Sequence, residues 1–422
     1  MSVKKYISNT RIAKYLKKNF SDSLYGMLNM MIASLDGFLL NVLLVRFLSY
    51  EDLGNYKLFF SVINMLIIFS INGLNTSVAK SIAKKYRRFF IKAIKISGLF
   101  SLIASLVLII LSVSYYRGID VKYALLAASF MVPIYFGFNI WESFYYGERQ
   151  FKKVLLLNTA IAVTRFAACG SILFFYRNYL LTIIVYLLIV SLYNLIFSLL
   201  IWKRVSKEEP RPDKDRELIK HGFKLTGASA VSVIAKNIER IILDAVSNAT
   251  MVGIYSVISV FPTFIKNSLK TLVNVPTVKL AAHPEKDNRI IIKKGLYIIF
   301  SSGVILFIIF WFITPFLLKF FFKVDDPDMI RYGKLMLVPL IFMPTNLVIK
   351  YMCSYQGSGN SVLKLYTTTD IVKLAMLAIF IPLFKINGII IALILGEFFS
   401  FLILIIWFIR SNKKFGIGWK KD

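Results

Sequence analysis

The sequence predicts an all-α integral membrane protein of about twelve transmembrane helices, arranged as two pseudo-symmetric six-helix lobes. Three observations carry that prediction. Apolar runs of roughly 20 residues, enough for a helix to cross a hydrocarbon core of about 30 Å, recur along all 422 residues. The connections between them alternate between basic and non-basic. The punctuation of the first half returns in the second.

Composition supports the first observation. The chain is 57% hydrophobic, 15% aromatic and only 18% charged, with a mean hydropathy of +0.68. In lipid the backbone must satisfy its own polar groups, so apolar runs of this length imply helices. The runs fall at 23–48, 55–79, 93–115, 122–146, 154–176, 179–202, 225–249, 254–279, 293–320, 332–356, 361–384 and 386–409. Gly54, Gly118, Gly147, Gly253, Gly357-Ser358-Gly359 and Asn387-Gly388 stand at or near their ends.

Charge orients the runs. Residues 1–22 read as a basic amphipathic interfacial segment, with Ile12, Leu16 and Phe20 on one face and Lys14, Lys17 and Lys18 elsewhere. The first run is too long for the apolar core of a signal peptide. The second connection carries Lys80, Lys84, Lys85, Arg87 and Arg88. The eighth carries Lys279, Lys286 and Arg289, and the tail 410–422 is basic. The first connection has only Glu51 and Asp52, the seventh has no charge, and the ninth is acidic at Asp325, Asp326 and Asp328. The positive-inside rule then places both termini in the cytoplasm.

The longest polar stretch, 203–224, contains Lys207-Glu208-Glu209-Pro210-Arg211-Pro212-Asp213 and reads as a cytoplasmic linker between lobes 23–202 and 225–409. Gly54-Asn55-Tyr56 follows the first run, and Gly253-Ile254-Tyr255 follows the seventh, 199 residues later. Gly147 ends the fourth run as Gly357 ends the tenth. Transporters built from such repeats bind substrate between the halves near the midplane and alternate access by rocking.

Several chemistries are excluded on the same reading. The net charge of +30 would point to nucleic acid in a soluble chain; here the cations sit mostly between apolar runs, and no nucleic-acid partner is expected. Cys169 and Cys353 lack metal-ligand spacing and read as packing residues, while His221 and His283 lie in basic connections. No metal, no cofactor and no phosphate-binding loop is expected, and no nucleophile motif points to an enzyme. Connections on the outside are short, which argues against a glycosyltransferase or polymerase.

Charges inside the runs are then the informative residues, because each costs about 2.5–3.5 kcal/mol at mid-bilayer. The cations are Arg165, Lys236, Arg240, Lys266, Lys270 and Lys373, with Lys350 nearer the cytoplasm. Lys236 and Arg240 share a helix face, as do Lys266 and Lys270, and such stacked cations repel unless an anion sits with them. Lys266 and Lys270 have no acid on their own run. The pattern fits either salt bridges or a hydrated cationic cavity for a phosphate-bearing substrate, with Arg as a fork and Lys as a point charge. Asp36, Glu239, Asp370 and Glu397 are candidates for ion coupling, by a proton or Na⁺, or for charge pairing. Glu239 stands three residues from Lys236, and Asp370 three from Lys373, as self-contained pairs would. Asn72, Asn75, Asn158 and Asn346 are candidates for glycan contacts or for helix–helix hydrogen bonds.

These positions resemble the polysaccharide biosynthesis, or Wzx-type (O-antigen), flippases of the multidrug/oligosaccharidyl-lipid/polysaccharide exporter superfamily. The resemblance is carried by Arg46-Phe47-Leu48 before Gly54-Asn55-Tyr56, Gly73-Leu74, Glu239-Arg240, Gly253-Ile254-Tyr255, Gln356-Gly357 and Asn387-Gly388. It implies a MATE-like fold of two six-helix lobes with a central cationic cavity. It implies a prokaryotic cell (inner) membrane and transfer of a polyprenyl-pyrophosphate-linked glycan to the outer leaflet. Membrane lipids and other glycan-assembly proteins are the remaining candidate partners. The rival within the superfamily is a multidrug antiporter for organic cations, which a cation-rich cavity suits poorly; a scaffold without transport is the other.

Overall fold

The computed structural model describes residues 11–114, 119–282, 288–356 and 359–414. Of the expected interfacial segment 1–22, only the backbone from Arg11 is described. The end of the tail and His283 lie outside the described residues. Every described element is helical, with no strand among the described residues. The helices are α1 (Arg11–Phe47), α2 (Tyr50–Leu66), α3 (Leu74–Ala83), α4 (Phe89–Ser114), α5 (Ile119–Gly137), α6 (Trp141–Gly147), α7 (Phe151–Phe175) and α8 (Tyr179–Val205). They continue as α9 (Pro212–Val246), α10 (Ala249–Ile258), α11 (Val260–Ala282), α12 (Asn288–Phe322), α13 (Pro327–Leu335), α14 (Met343–Gln356) and α15 (Gly359–Lys414).

Nine helical segments among the described residues are long and apolar enough to cross a membrane, and ten if the bent pair α10–α11 is one span. The 47-residue apolar segment Lys364–Arg410 is really two. At Lys385 the backbone leaves the helix, with φ 52° and ψ −123°. A Cβ on Gly388 would meet the Phe380 carbonyl at 1.9 Å, so only glycine lets the chain return this closely. The remaining expected span is α9, which fails on composition because Lys236, Glu239, Arg240 and Asp244 occupy its membrane half. With these two, the helices fill the twelve expected runs.

Both halves of the chain break the same spans. The second is interrupted at residues 71–73 and the fourth at 138–140; the eighth bends by 48° at Ser259, and the tenth is interrupted between Leu335 and Met343. Proline explains part of this, since Pro262, Pro339 and Pro344 cannot donate to the helix ladder.

By contacts the chain forms two compact units: Met1–Leu40 with Leu66–Ser229, and Asn41–Met65 with Ala230–Asp422. In unit 1, α4 packs along α5, α5 and α7 pack along α8, and α3 packs on α6. Trp141, Phe144, Phe89, Phe90 and Leu74 are fully buried at its centre. The two breaks are stitched by neighbouring side chains. Asn194 Nδ2 donates to Tyr135 O at 3.0 Å and Ser198 Oγ to Phe138 O at 2.7 Å, taking up carbonyls freed where the fourth span opens. Ser97 Oγ donates to Ser70 O at 2.8 Å, and Gly73 N donates to Thr226 Oγ1 at 2.9 Å, at the second-span break. Side chains on adjacent helices thus do what lipid cannot.

The polar start of α9 is docked on unit 1. Asp215 accepts from the Tyr86 hydroxyl at 2.6 Å and lies 3.3 Å from Lys92 Nζ. Burial, reinforced by that hydrogen bond, pushes the Tyr86 phenol up to about 12. Glu148 takes Arg87 at 2.9 Å and both terminal nitrogens of Arg204 at 3.2 Å.

In unit 2, α11 packs along α14, α14 along α15, and α12 against α13 and α14. The repeated glycines meet: a Cβ on Gly54 would stand 1.8 Å from Ala249 O, and one on Gly253 would stand 1.8 Å from Tyr50 O. Helices α2 and α10 therefore touch backbone to backbone through equivalent positions of the two halves. Nearby, Arg46 Nε and Nη2 donate to Phe321 O at 2.8 Å and Phe320 O at 2.9 Å, closing the carboxyl end of α12.

Candidate functional site

A constellation of charges drawn from three helices lies within the spans of unit 2. Glu397 on α15 is 7% exposed. Its Oε1 receives Lys373 Nζ at 2.5 Å and lies 3.8 Å from Lys266 Nζ. Its Oε2 accepts from Asn346 Nδ2 at 2.8 Å, and the same amide reaches the Glu397 carbonyl at 3.1 Å. Three helices, α11, α14 and α15, supply these groups. Gly396 makes room, since a Cβ there would press on Lys373 Cγ at 3.1 Å.

Two lysines on one carboxylate leave positive charge over. Lys270 Nζ donates to Asn267 Oδ1 at 3.3 Å rather than to an acid. Lys236 and Glu239 on α9 stand within electrostatic range of Lys266, and Lys350 and Asp370 within range of each other. On this unit's α9, α11, α14 and α15, the cations Lys236, Arg240, Lys266, Lys270, Lys350 and Lys373 stand against Glu239, Asp244, Asp370 and Glu397, with further cations, among them Lys364, Lys385 and Arg410, and no further acid.

Two expected pairs are not the ones formed. Lys373 bonds Glu397 across to the second arm of α15, not Asp370 three residues away. No ion pair joins Lys236 to Glu239 among the described residues; Glu239 lies against the Tyr255 hydroxyl instead. Sequence spacing identifies neighbours on one helix, but a carboxylate on the adjacent helix offers a shorter, better buried approach. Arg240 stacks 5.7 Å from the Tyr255 ring centroid and reaches Ser61 Oγ at 3.5 Å, while its Nε is buried without a partner. Lys57, which sequence reasoning passed over, lies beside it and bonds Asn41. Its signal was a cation one turn into an apolar run.

The remaining candidates lie in unit 1. Asp36 is 7% exposed and paired with the Arg165 guanidinium, which also donates to the Tyr186 hydroxyl at 3.0 Å and covers that ring at 4.7 Å. Asn158 bonds Glu142 and Asn29. Asn72 accepts a 3.4 Å contact from Ser229. Asn72 and Asn75 line a cavity of about 10 Å³ with Ser70, Ser97 and Asn139, room for one water.

Comparisons with known proteins agree on class. The family model for polysaccharide biosynthesis protein matches residues 15–279. A comparison with curated proteins gives no match. Among solved structures, a MOP superfamily transporter from Pyrococcus furiosus, described as having a binding pocket of reverse polarity that suggests a different function, is 14% identical. It is matched over 94% of this chain and 95% of its own, with a TM-score of 0.64. An outward-facing multidrug resistance MATE family transporter of that superfamily is 14% identical over 94% and 95%, with a TM-score of 0.62. A MATE structure in the straight conformation is 16% identical over 94% and 97%, with a TM-score of 0.64. At these identities the likeness is one of fold: an all-α, multi-pass membrane architecture. The family model covers well over half of the sequence, and the chain belongs to the polysaccharide biosynthesis protein family, on the fold of MOP superfamily transporters.

Proposed function

We propose that this protein is a flippase, not an enzyme. It carries a polyprenyl-(pyro)phosphate-linked oligosaccharide from the cytoplasmic to the outer leaflet of a prokaryotic cell membrane by alternating access. The observation that carries the reading is the excess of cations around Glu397, where Lys266 and Lys373 share one carboxylate and Lys270 has none among the described residues. Cations held within a membrane protein need a counter-anion, and a lipid-linked phosphate supplies one that arrives and leaves. Lys266 and Lys270 would meet the phosphate oxygens as point charges, with Arg240 and Lys236 on α9 adding to the field. The polyprenyl tail stays in lipid. An inside-negative potential favours outward movement of an anion by about 2.3 kcal/mol per charge per 100 mV.

Binding in lipid nanodiscs tests the site. A polyprenyl-pyrophosphate oligosaccharide is expected to bind wild type, with affinity falling at least tenfold in Lys266→Ala/Lys270→Ala. Equal affinity in the two proteins removes the site, and tight binding of organic cations instead of the phosphate lipid removes the function.

A further inference from the structure

The end of unit 1 that carries the basic connections holds an open cavity of about 620 Å³, lined by Lys92, Arg216, Ile219 and Lys220. Lys92 stands in the first turn of α4, and the other three in the polar start of α9. Arg216 and Lys220 are four residues apart and share a face, so their charges add toward the cavity. Asp215 is buried beside them, where it accepts from the Tyr86 hydroxyl at 2.6 Å and lies 3.3 Å from Lys92 Nζ. Glu217 lies within electrostatic range of His221. Neither acid forms an ion pair with Arg216 or Lys220 among the described residues. The neighbouring cations are committed elsewhere. Arg87 holds Glu148 at 2.9 Å, and Arg88 donates to Val205 O at 3.4 Å. Lys95 lies 5.6 Å over the Trp202 ring, and Arg211 lies 5.4 Å over the Tyr86 ring.

Below these charges the surface turns apolar. Lys92, Leu99 and Leu106 are spaced by seven residues on α4 and lie along one face. Leu99 is 64% exposed and Leu106 57%, on a helix long and apolar enough to cross the membrane. On α9, Phe223 continues the face of Lys220, is exposed, and meets the Phe100 ring edge-on at 5.4 Å between centroids. Cations at the mouth of a span, above an exposed apolar stripe, match an amphiphile with a negative head: a phosphate meets the charges and acyl chains cover the stripe. Basic pockets between transmembrane helices hold anionic headgroups in this way.

We propose that the cavity between α4 and α9 binds an anionic membrane phospholipid. Its phosphodiester is held by Lys92, Arg216 and Lys220, and its acyl chains lie along Leu99, Leu106 and Phe223. Arg216 presents a fork to the phosphate oxygens, and the two lysines act as point charges. Lys92 has three donors, so it keeps Asp215 and still reaches the phosphate. Three cations against Asp215 leave two positive charges, enough to hold one phosphodiester. The choline of a zwitterionic lipid would meet like charge instead. A lipid seated there ties the polar start of α9 to the leaflet beside α4. The cavity belongs to unit 1 and the constellation around Glu397 to unit 2, so failure of this inference leaves the flippase reading standing.

Native mass spectrometry of the purified full chain tests this, titrating phosphatidylglycerol against phosphatidylcholine with the same acyl chains. Wild type should bind its first phosphatidylglycerol at least tenfold more tightly. Arg216→Gln/Lys220→Gln should reduce that affinity to the phosphatidylcholine value. Lys203→Gln/Lys214→Gln, which removes two exposed cations outside the cavity, should leave it unchanged. All four side chains are exposed, so thermal midpoints of the two double variants should match wild type. Competition identifies the occupant: neither glycerophosphoglycerol, the same headgroup without chains, nor a polyprenyl diphosphate at equal concentration should displace the lipid. Equal binding of the two phospholipids by wild type, or equal losses in the two double variants, overturns the proposal. Displacement by the bare headgroup makes this a soluble-phosphate site, and displacement by the polyprenyl diphosphate makes it a cargo site; either result also overturns it.

Discussion

A single methyl group at residue 54 tests the meeting of the two halves of the chain. In Gly54→Ala the new carbon would stand 1.8 Å from Ala249 O. Carbon–oxygen contacts settle near 3.3 Å, so α2 and α10 must part by roughly 1.5 Å. The obstacle is backbone and cannot rotate away. Overpacking typically costs 1–3 kcal/mol, and this case belongs at the top of that range, about 3 kcal/mol. At about 1.4 kcal/mol per decade, the folded-to-unfolded ratio falls roughly a hundredfold. Gly253→Ala meets Tyr50 O at the same 1.8 Å and should cost as much. Once the helices have parted, the second methyl finds space already made, so the double variant should cost well under the sum, with a coupling of about 1–3 kcal/mol. Unfolding of the purified protein in detergent, followed for the four members of the cycle, measures it. A Gly54→Ala midpoint equal to wild type, or strictly additive losses, would refute the backbone contact.

Other perturbations probe the charges. Lys373→Met leaves Glu397 with Lys266 at 3.8 Å and Asn346, and should destabilise by about 3–5 kcal/mol in the same assay. Asp36→Leu strands Arg165 at a similar cost, and Asp36→Leu/Arg165→Met should recover most of it. Asn194→Leu removes the partner of Trp141 Nε1 at 2.9 Å and of Tyr135 O, about 1–3 kcal/mol each, so the fourth span's break should loosen and its amides exchange faster. Burial, aided by Lys80 and Lys224, holds His221 below the ordinary histidine value. Its contribution to stability is therefore present above about pH 6.5 and is lost as pH falls through that range. Thermal midpoints of wild type should drop more on mild acidification than those of His221→Gln.

Much of the fold was written in local pattern. Run length and charge alternation located the helices. Gly54, Gly253 and Asn387-Gly388 marked places where backbones approach, because only glycine tolerates a carbonyl within 2 Å of where a Cβ would stand. The breaks at 71–73 and 138–140 were not legible, since what permits them is Thr226, Asn194 and Ser198 arriving from other helices. The charged positions in the spans were found by their cost in lipid, but their partners were not. Lys373 prefers Glu397 on the following arm over Asp370 on its own helix, and Asp36 meets Arg165 from 129 residues away. Glu142 stands near a span end, and the amides around it, Asn29 and Asn158, are brought to it only by folding.

The flippase reading itself is tested most directly in proteoliposomes holding a fluorescent polyprenyl-pyrophosphate oligosaccharide. Wild type should move the labelled headgroup from one leaflet to the other, and Lys266→Ala/Lys270→Ala, with folding intact, should slow that movement at least tenfold. A wild-type protein that leaves the lipid in its original leaflet would contradict the account.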